Sequence, residues 1–167
     1  HPVARHQPGL TFEQGAEGWR LAPAEPDSLA PMTIPGYGRN HLRRRADDAS
    51  LGDTVMCFTR SAKASNRLAQ TATGLTPGRR YSLTYVTADP DDIAKFKNER
   101  QHVVLEAALD GAEVIPEKSY EFRIPAGWEN WPATAQRREF VTRKIVFKAL
   151  RPDVAVTFRD WLGDDEP

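Results

Sequence analysis

The segment from Arg67 to Ala88, RLAQTATGLTPGRRYSLTYVTA, decides the fold class. Tyr81, Leu83 and Tyr85 alternate with Arg80, Ser82 and Thr84, the period-two pattern of a half-buried strand. Leu68, Gln70 and Ala72 alternate with Ala69, Thr71 and Thr73 in the same sense, more weakly. Between the two runs stands Gly74-Leu75-Thr76-Pro77-Gly78, in which Pro77 presets the φ of a turn and Gly78 tolerates positive φ. Leu75, the one apolar residue of the connection, is expected to plug the end of a core. The segment therefore predicts two strands joined by a turn.

Working outward, the same alternation returns. Leu10 and Phe12 predict a short strand, Gly15 and Gly18 a turn, and Trp19 and Leu21 a second strand, with Trp19 in the core. Met32-Thr33-Ile34 is a further short candidate. Thr54–Arg60 carries Val55 and Cys57 on one face and Met56 and Phe58 on the other, which predicts a central strand covered on both sides or an imperfect alternation. Val103, Leu105, Ala107 and Leu109 alternate cleanly, and Asp110-Gly111 predicts a two-residue hairpin into Ala112–Ile115. Tyr120, Phe122 and Ile124, then Phe140–Ala149 and Val154–Trp161, complete the set, and the expected core is Phe12, Trp19, Leu68, Leu75, Tyr81, Leu83, Val103, Leu105, Phe122, Ile145, Phe147, Val156 and Phe158. One segment breaks the pattern. Asp89-Pro90-Asp91-Asp92 has an N-cap, a proline at the first helical position and first-turn carboxylates, so a short helix is predicted near 90–98. Many short strands with regular turns and a single helix predict an all-β antiparallel β-sandwich. Residues 1–8 read as a lead-in, 9–162 as one domain and 163–167 as an acidic tail.

Composition narrows the function. Lysine and arginine number 23 and so do aspartate and glutamate, so no net field favours nucleic acid or an anionic membrane. The basic run Leu42-Arg43-Arg44-Arg45 is followed at once by Asp47, Asp48 and Asp53, which suits internal ion pairing better than a nucleic-acid patch. No apolar run approaches the length of a membrane span. The single cysteine, Cys57, excludes an internal disulfide and reads as a buried, unreactive thiol. No nucleophile elbow, phosphate loop, zinc-binding His-Glu-x-x-His or cysteine pair is present, which argues against an enzyme. Scattered carboxylates leave acid–base catalysis as the least favoured of three functional classes.

Two loops carry the chemistry of a binding site. Residues 125–136 hold Trp128 and Trp131 with Glu129 and Asn130 between them, framed by Pro125, Gly127 and Pro132. Two tryptophans three apart in such a loop cannot both follow a strand's inward face, and exposed indoles beside hydrogen-bonding groups suit the flat C–H faces and hydroxyls of a sugar. The alternative is that both indoles fold over the sandwich edge. Tyr37 and Arg39, in the Pro35–Asn40 loop, offer a further stacking ring and a hydroxyl-binding guanidinium, or a tyrosine packed on its own loop.

Three motifs resemble one family. The run Gln70-x-Ala72-x-Gly74-Leu75-x-Pro77-Gly78 into Tyr81-x-Leu83, the opening Phe12-Glu13 followed by Gly18-Trp19, and the closing strand Val154–Trp161 are similar to carbohydrate-binding modules with the galactose-binding-like jelly-roll fold. The resemblance implies a non-catalytic module of a larger, extracellular or periplasmic, glycan-degrading protein. Its expected partners are a polysaccharide or oligosaccharide and the neighbouring domains of the parent chain, with no nucleic acid and no membrane span. It also implies a structural calcium between the first and last strands, bound by Glu13 and Asp160; a salt bridge from Asp160 to an arginine is the competing explanation. The chain begins at His1-Pro2 without a methionine, as an excised or processed module would. The runner-up function is a structural or protein-interaction sandwich without a sugar site.

Overall fold

The computed structural model describes residues 12, 16–34, 53–94, 105–125 and 139–162. They form an antiparallel all-β sandwich of two main sheets and a two-stranded ribbon. The first sheet runs in the order β1 (Arg20–Ala22), β4 (Arg67–Ala72), β10 (Val154–Arg159) and β6 (Glu106–Asp110). The second is built on β9 (Glu139–Ala149), with β5 (Arg80–Thr87) along one side and β7 (Ala112–Val114) and β8 (Tyr120–Pro125) in line along the other. The ribbon pairs β2 (Leu29–Thr33) with β3 (Thr54–Phe58). Asp89 caps the short helix α1 (Pro90–Ala94), its carboxylate accepting from the Asp91 and Asp92 N–H groups at 2.9 and 3.1 Å. Residues 95–98 of the expected helix lie outside the described residues.

Alternation on β10 explains why the two sheets pack. Val154, Val156, Phe158 and Asp160 are buried, whereas the intervening side chains are partly exposed. Leu68 and Ala107 stand directly opposite Phe158 on the two flanking strands. Against this face lie Leu83 and Tyr85 of β5, together with Phe12 and Trp19, so the core assignments of Phe12, Trp19, Leu68, Leu83, Val156 and Phe158 hold. Tyr85 meets Phe158 edge-on at 5.0 Å, and Trp19 lies 6.2 Å from the same ring.

The segment Arg67–Ala88 does form two strands, but β4 and β5 do not pair. They belong to opposite sheets, and the Gly74–Gly78 turn carries the chain across the sandwich. Asp110-Gly111 behaves in the same way: the expected hairpin is a crossing, since β6 pairs β10 while β7 pairs β9. A third crossing, at Leu150–Asp153, links β9 to β10. All three meet at one end of the sandwich. Leu75 N–H donates to Pro152 O at 2.9 Å, Gly78 N–H to Ala149 O at 2.7 Å, and Leu150 N–H to Gly111 O at 2.9 Å. Leu75 plugs this end, packed with Phe147, Ala149 and Val154 and flanked by Tyr81 and Leu109. Such chemistry presets backbone angles but does not require the flanking strands to pair, which is why hairpin and crossing read alike.

Among the described residues, Thr54–Phe58 lies in a two-stranded ribbon and not in the middle of a sheet. Among the described residues it pairs only with β2, whose Pro31 has no N–H to give to a further neighbour. Apolar residues occupy both faces because the ribbon serves two clusters. Met56 and Phe58 join the main core, while Val55 packs with Ile34, Val86 and Ala88 on Phe140, which is 1 % exposed.

Candidate functional site

The second sheet changes phase between β7 and β8. Val114 is paired with Phe147 and Tyr120 with Lys144. Five residues, Ile115–Ser119, therefore stand opposite only Ile145 and Val146, an excess of three. Side chains alternate with period two, so an odd excess turns every following side chain to the opposite face. The extra residues coil into a 3-10 turn at Pro116–Lys118. Ser119 stitches it down: its hydroxyl donates to Ile115 O at 2.9 Å and accepts from Val146 N–H at 2.9 Å, while Ile115 N–H reaches Val146 O at 2.8 Å.

The consequence is a strand laid against its sheet with the usual polarity reversed. Register puts Glu121 and Arg123 on the face of Arg143 and Val141, although both are exposed at this edge, and Tyr120 and Phe122 on the opposite face with Lys144 and the buried Thr142. Phe122, expected in the core, is 40 % exposed, and Tyr120 is 53 % exposed. Their rings lie 5.9 Å apart, and the Lys144 ammonium sits 5.7 Å from the Tyr120 ring centroid. This is a small aromatic platform with a cation at its side, on a strand that among the described residues is paired along one edge.

On the other face of β8, Glu121 is paired with Arg143. Arg143 donates from Nε to Glu121 Oε2 at 2.9 Å and from Nη1 to Thr87 Oγ1 at 2.6 Å. Its guanidinium also lies 5.9 Å from the Tyr85 ring. Tyr85 donates its hydroxyl to Leu105 O at 3.0 Å, and burial pushes its pKa up despite the nearby guanidinium. A phenol held neutral in this way braces the core beneath the platform.

Asp160 is the one expected site residue among those described. It is 4 % exposed, on the last buried position of the β10 face. Its Oδ1 accepts from Ser65 Oγ at 3.0 Å and Asn66 N–H at 2.8 Å, and its Oδ2 from the Asn66 amide at 2.7 Å. Arg60 donates to its backbone carbonyl rather than to the carboxylate. Asn66, fully buried, also accepts from Ala24 N–H and the Ser28 hydroxyl and donates to Thr59 O. Trp161 closes the cluster by donating to Ser61 O at 3.1 Å. Three of the four carboxylate lone-pair positions are thus taken by hydrogen-bond donors, and a guanidinium lies alongside. The calcium expectation pairs Asp160 with Glu13, which lies outside the described residues; at Asp160 itself the described neighbours of the carboxylate are hydrogen-bond donors. Among the described residues no group of three or more histidine, cysteine or acidic side chains converges on one point.

The remaining expected site residues, Trp128, Trp131, Glu129, Asn130, Tyr37, Arg39 and the metal candidate Glu13, lie outside the described residues. Tyr120, Phe122 and Lys144 were not assigned to a site by the sequence, because an outward Tyr-x-Phe on a reversed strand has the same alternation as an inward one. The available signal is Glu121-x-Arg123: two charges on the supposed solvent face also fit an ion-paired inward face, and Arg143 lies opposite them.

No helix among the described residues is long and apolar enough to cross a membrane. Comparison with family models, with curated proteins and with solved structures yields no match.

Proposed function

We propose that this domain is a non-catalytic carbohydrate-binding module, and that the outer face of β8 belongs to its ligand site. The observation that carries the proposal is the exposed Tyr120–Phe122 pair with Lys144 beside it. Sugars present flat C–H faces ringed by hydroxyls, so they favour exposed aromatic rings next to hydrogen-bonding groups. Two aromatic rings held partly exposed beside a bonded turn leave apolar surface in water, which ligand contact would cover. Because β8 is fixed by its pairing with β9, little order is lost on binding.

The chain leaves β8 at Pro125 directly into the segment with Trp128, Glu129, Asn130 and Trp131. These residues, with Tyr37 and Arg39, are proposed as further stacking and hydroxyl-binding groups on sequence grounds. A secreted parent protein with neighbouring domains is part of the same proposal, resting on the resemblance of the three motifs. Each stacked ring contributes about 1 kcal/mol, so stacking by two to four rings gives weak affinity, on the order of millimolar, which hydrogen bonds to the sugar hydroxyls strengthen.

Electrophoresis through gels containing single polysaccharides tests the proposal. The wild-type chain is retarded by at least one of them, and the Tyr120→Ala/Phe122→Ala variant is retarded less. Absence of retardation across a broad panel, with tryptophan fluorescence also unmoved, favours a structural or protein-contact role.

A further inference from the structure

The outer face of the β5–β9–β7/β8 sheet carries an excess of positive charge although the whole chain is balanced. Register places Arg80 opposite Lys148 and Thr84 opposite Lys144 on this face, with Glu113 beside Lys148 and Tyr120 beside Lys144. Lys148 is paired with Glu113 at 3.0 Å. Arg80 and Lys144 have no carboxylate partner among the described residues. Arg80, Ser82 and Thr84 are exposed, so the face between the two cations is open. Arg80 lies four residues along β5 from Thr84, a span of about 13 Å at the usual strand rise.

We propose that the glycan taken by this face is acidic, a polysaccharide carrying carboxylates or sulfates. The inference rests on the carbohydrate-binding reading and sharpens it. Tyr120 and Phe122 supply the stacking surface, Lys144 meets the anionic group of the stacked sugar, and Arg80 meets a second anionic group further along the chain. Serine and threonine hydroxyls between them suit sugar hydroxyls. Arg80 adds a planar fork of donors suited to a carboxylate or sulfate. Single-stranded nucleic acid also uses aromatic platforms and cations. Two unpaired cations on a chain of zero formal charge are too few for it, because its affinity comes chiefly from phosphate neutralisation.

Matched ligand pairs separate the outcomes. Polygalacturonate is compared with its methyl ester, and dextran sulfate with dextran, using the wild-type chain and Lys144→Gln, Arg80→Gln and the double variant. The first pair reports carboxylate recognition and the second sulfate recognition. At least one acidic polymer binds about tenfold tighter than its neutral match, its binding weakens with salt, and the double variant loses about that factor. Both substitutions are at surface positions, so circular dichroism and melting stay unchanged. Equal binding of acidic and neutral polymers overturns this inference and leaves the carbohydrate-binding reading standing. If neither pair binds but other neutral polysaccharides do, only the inference fails. No binding to any glycan removes both. Tighter binding of a mixed-sequence single-stranded oligonucleotide than of every glycan replaces the inference with nucleic-acid recognition.

Discussion

Asn66 holds Asp160 across 94 residues of chain, its backbone N–H on Oδ1 at 2.8 Å and its side-chain amide on Oδ2 at 2.7 Å. The same side chain accepts from Ala24 and Ser28 and donates to Thr59. One fully buried amide thereby ties the turn before β2, the end of β3, the start of β4 and the end of β10. Replacing Asn66 by alanine leaves a buried carboxylate and several backbone groups short of partners. The expected loss is about 3 kcal/mol, or about 6–12 °C in Tm for a domain of this size. Thermal melting by circular dichroism checks it, and a change under about 1 °C would show that the network adds no stability.

The same network bears on calcium. Because hydrogen-bond donors hold Asp160, a chelator is expected to leave the melting curve unchanged. An ion bound to the folded chain alone would add stability by mass action, so a fall in Tm on adding EDTA, reversed by calcium, would show that a cation engages Asp160 or Glu13.

Gly111 is the tightest point of the closed end. Its φ is +88°, and a Cβ there would stand 2.9 Å from the Asp153 carbonyl oxygen and 2.5 Å from Arg151 Nε. The arginine can swing away, whereas the carbonyl belongs to the β9–β10 crossing. Gly111→Ala is expected to cost about 2 kcal/mol, seen as a lower urea midpoint. Gly74→Ala has open space at its Cβ and bears only the cost of positive φ, so it is the milder variant.

Cys57 is expected to react slowly. Burial raises its thiol pKa, and the negative charge of Asp89 adds to the shift. The folded value lies above the unfolded one, so this group's contribution to stability is intact below the ordinary thiol range and declines as pH rises through the folded pKa. Iodoacetamide should therefore modify the native chain several-fold more slowly than the urea-unfolded chain at pH 8, and Cys57→Ala should flatten the alkaline fall in stability. Equal rates in both states would contradict this.

The strands are legible in the sequence because half-buried β-structure repeats every second residue; Tyr81, Leu83, Val156 and Phe158 all fall where that period puts them. Strand partners are not legible. Pro77-Gly78 and Asp110-Gly111 preset backbone angles compatible with a hairpin, yet at both places the neighbours are chosen by the opposing sheets. The face of β8 is hidden for a related reason. The three-residue excess exists only relative to β9, so no inspection of Ile115–Ser119 alone reveals that Phe122 points outward. Asp160 stands out in the sequence by its place at the end of the last strand. Its partner Asn66 does not, because a polar turn such as Ser61–Asn66 looks like solvent-exposed loop until its side chains are seen inside.

The central claim is that the reversed strand β8 presents the ligand surface, and backbone NMR tests it most directly. An isotope-labelled chain is titrated with the polysaccharide that retards it in gels, or with oligosaccharides prepared from it. The predicted result is that the amides of Tyr120–Arg123 and Lys144 shift progressively with ligand, while those of Leu68 and Val156 in the opposite sheet stay still. Shifts confined to other parts of the chain, with Tyr120–Arg123 and Lys144 unmoved at saturation, would contradict the account.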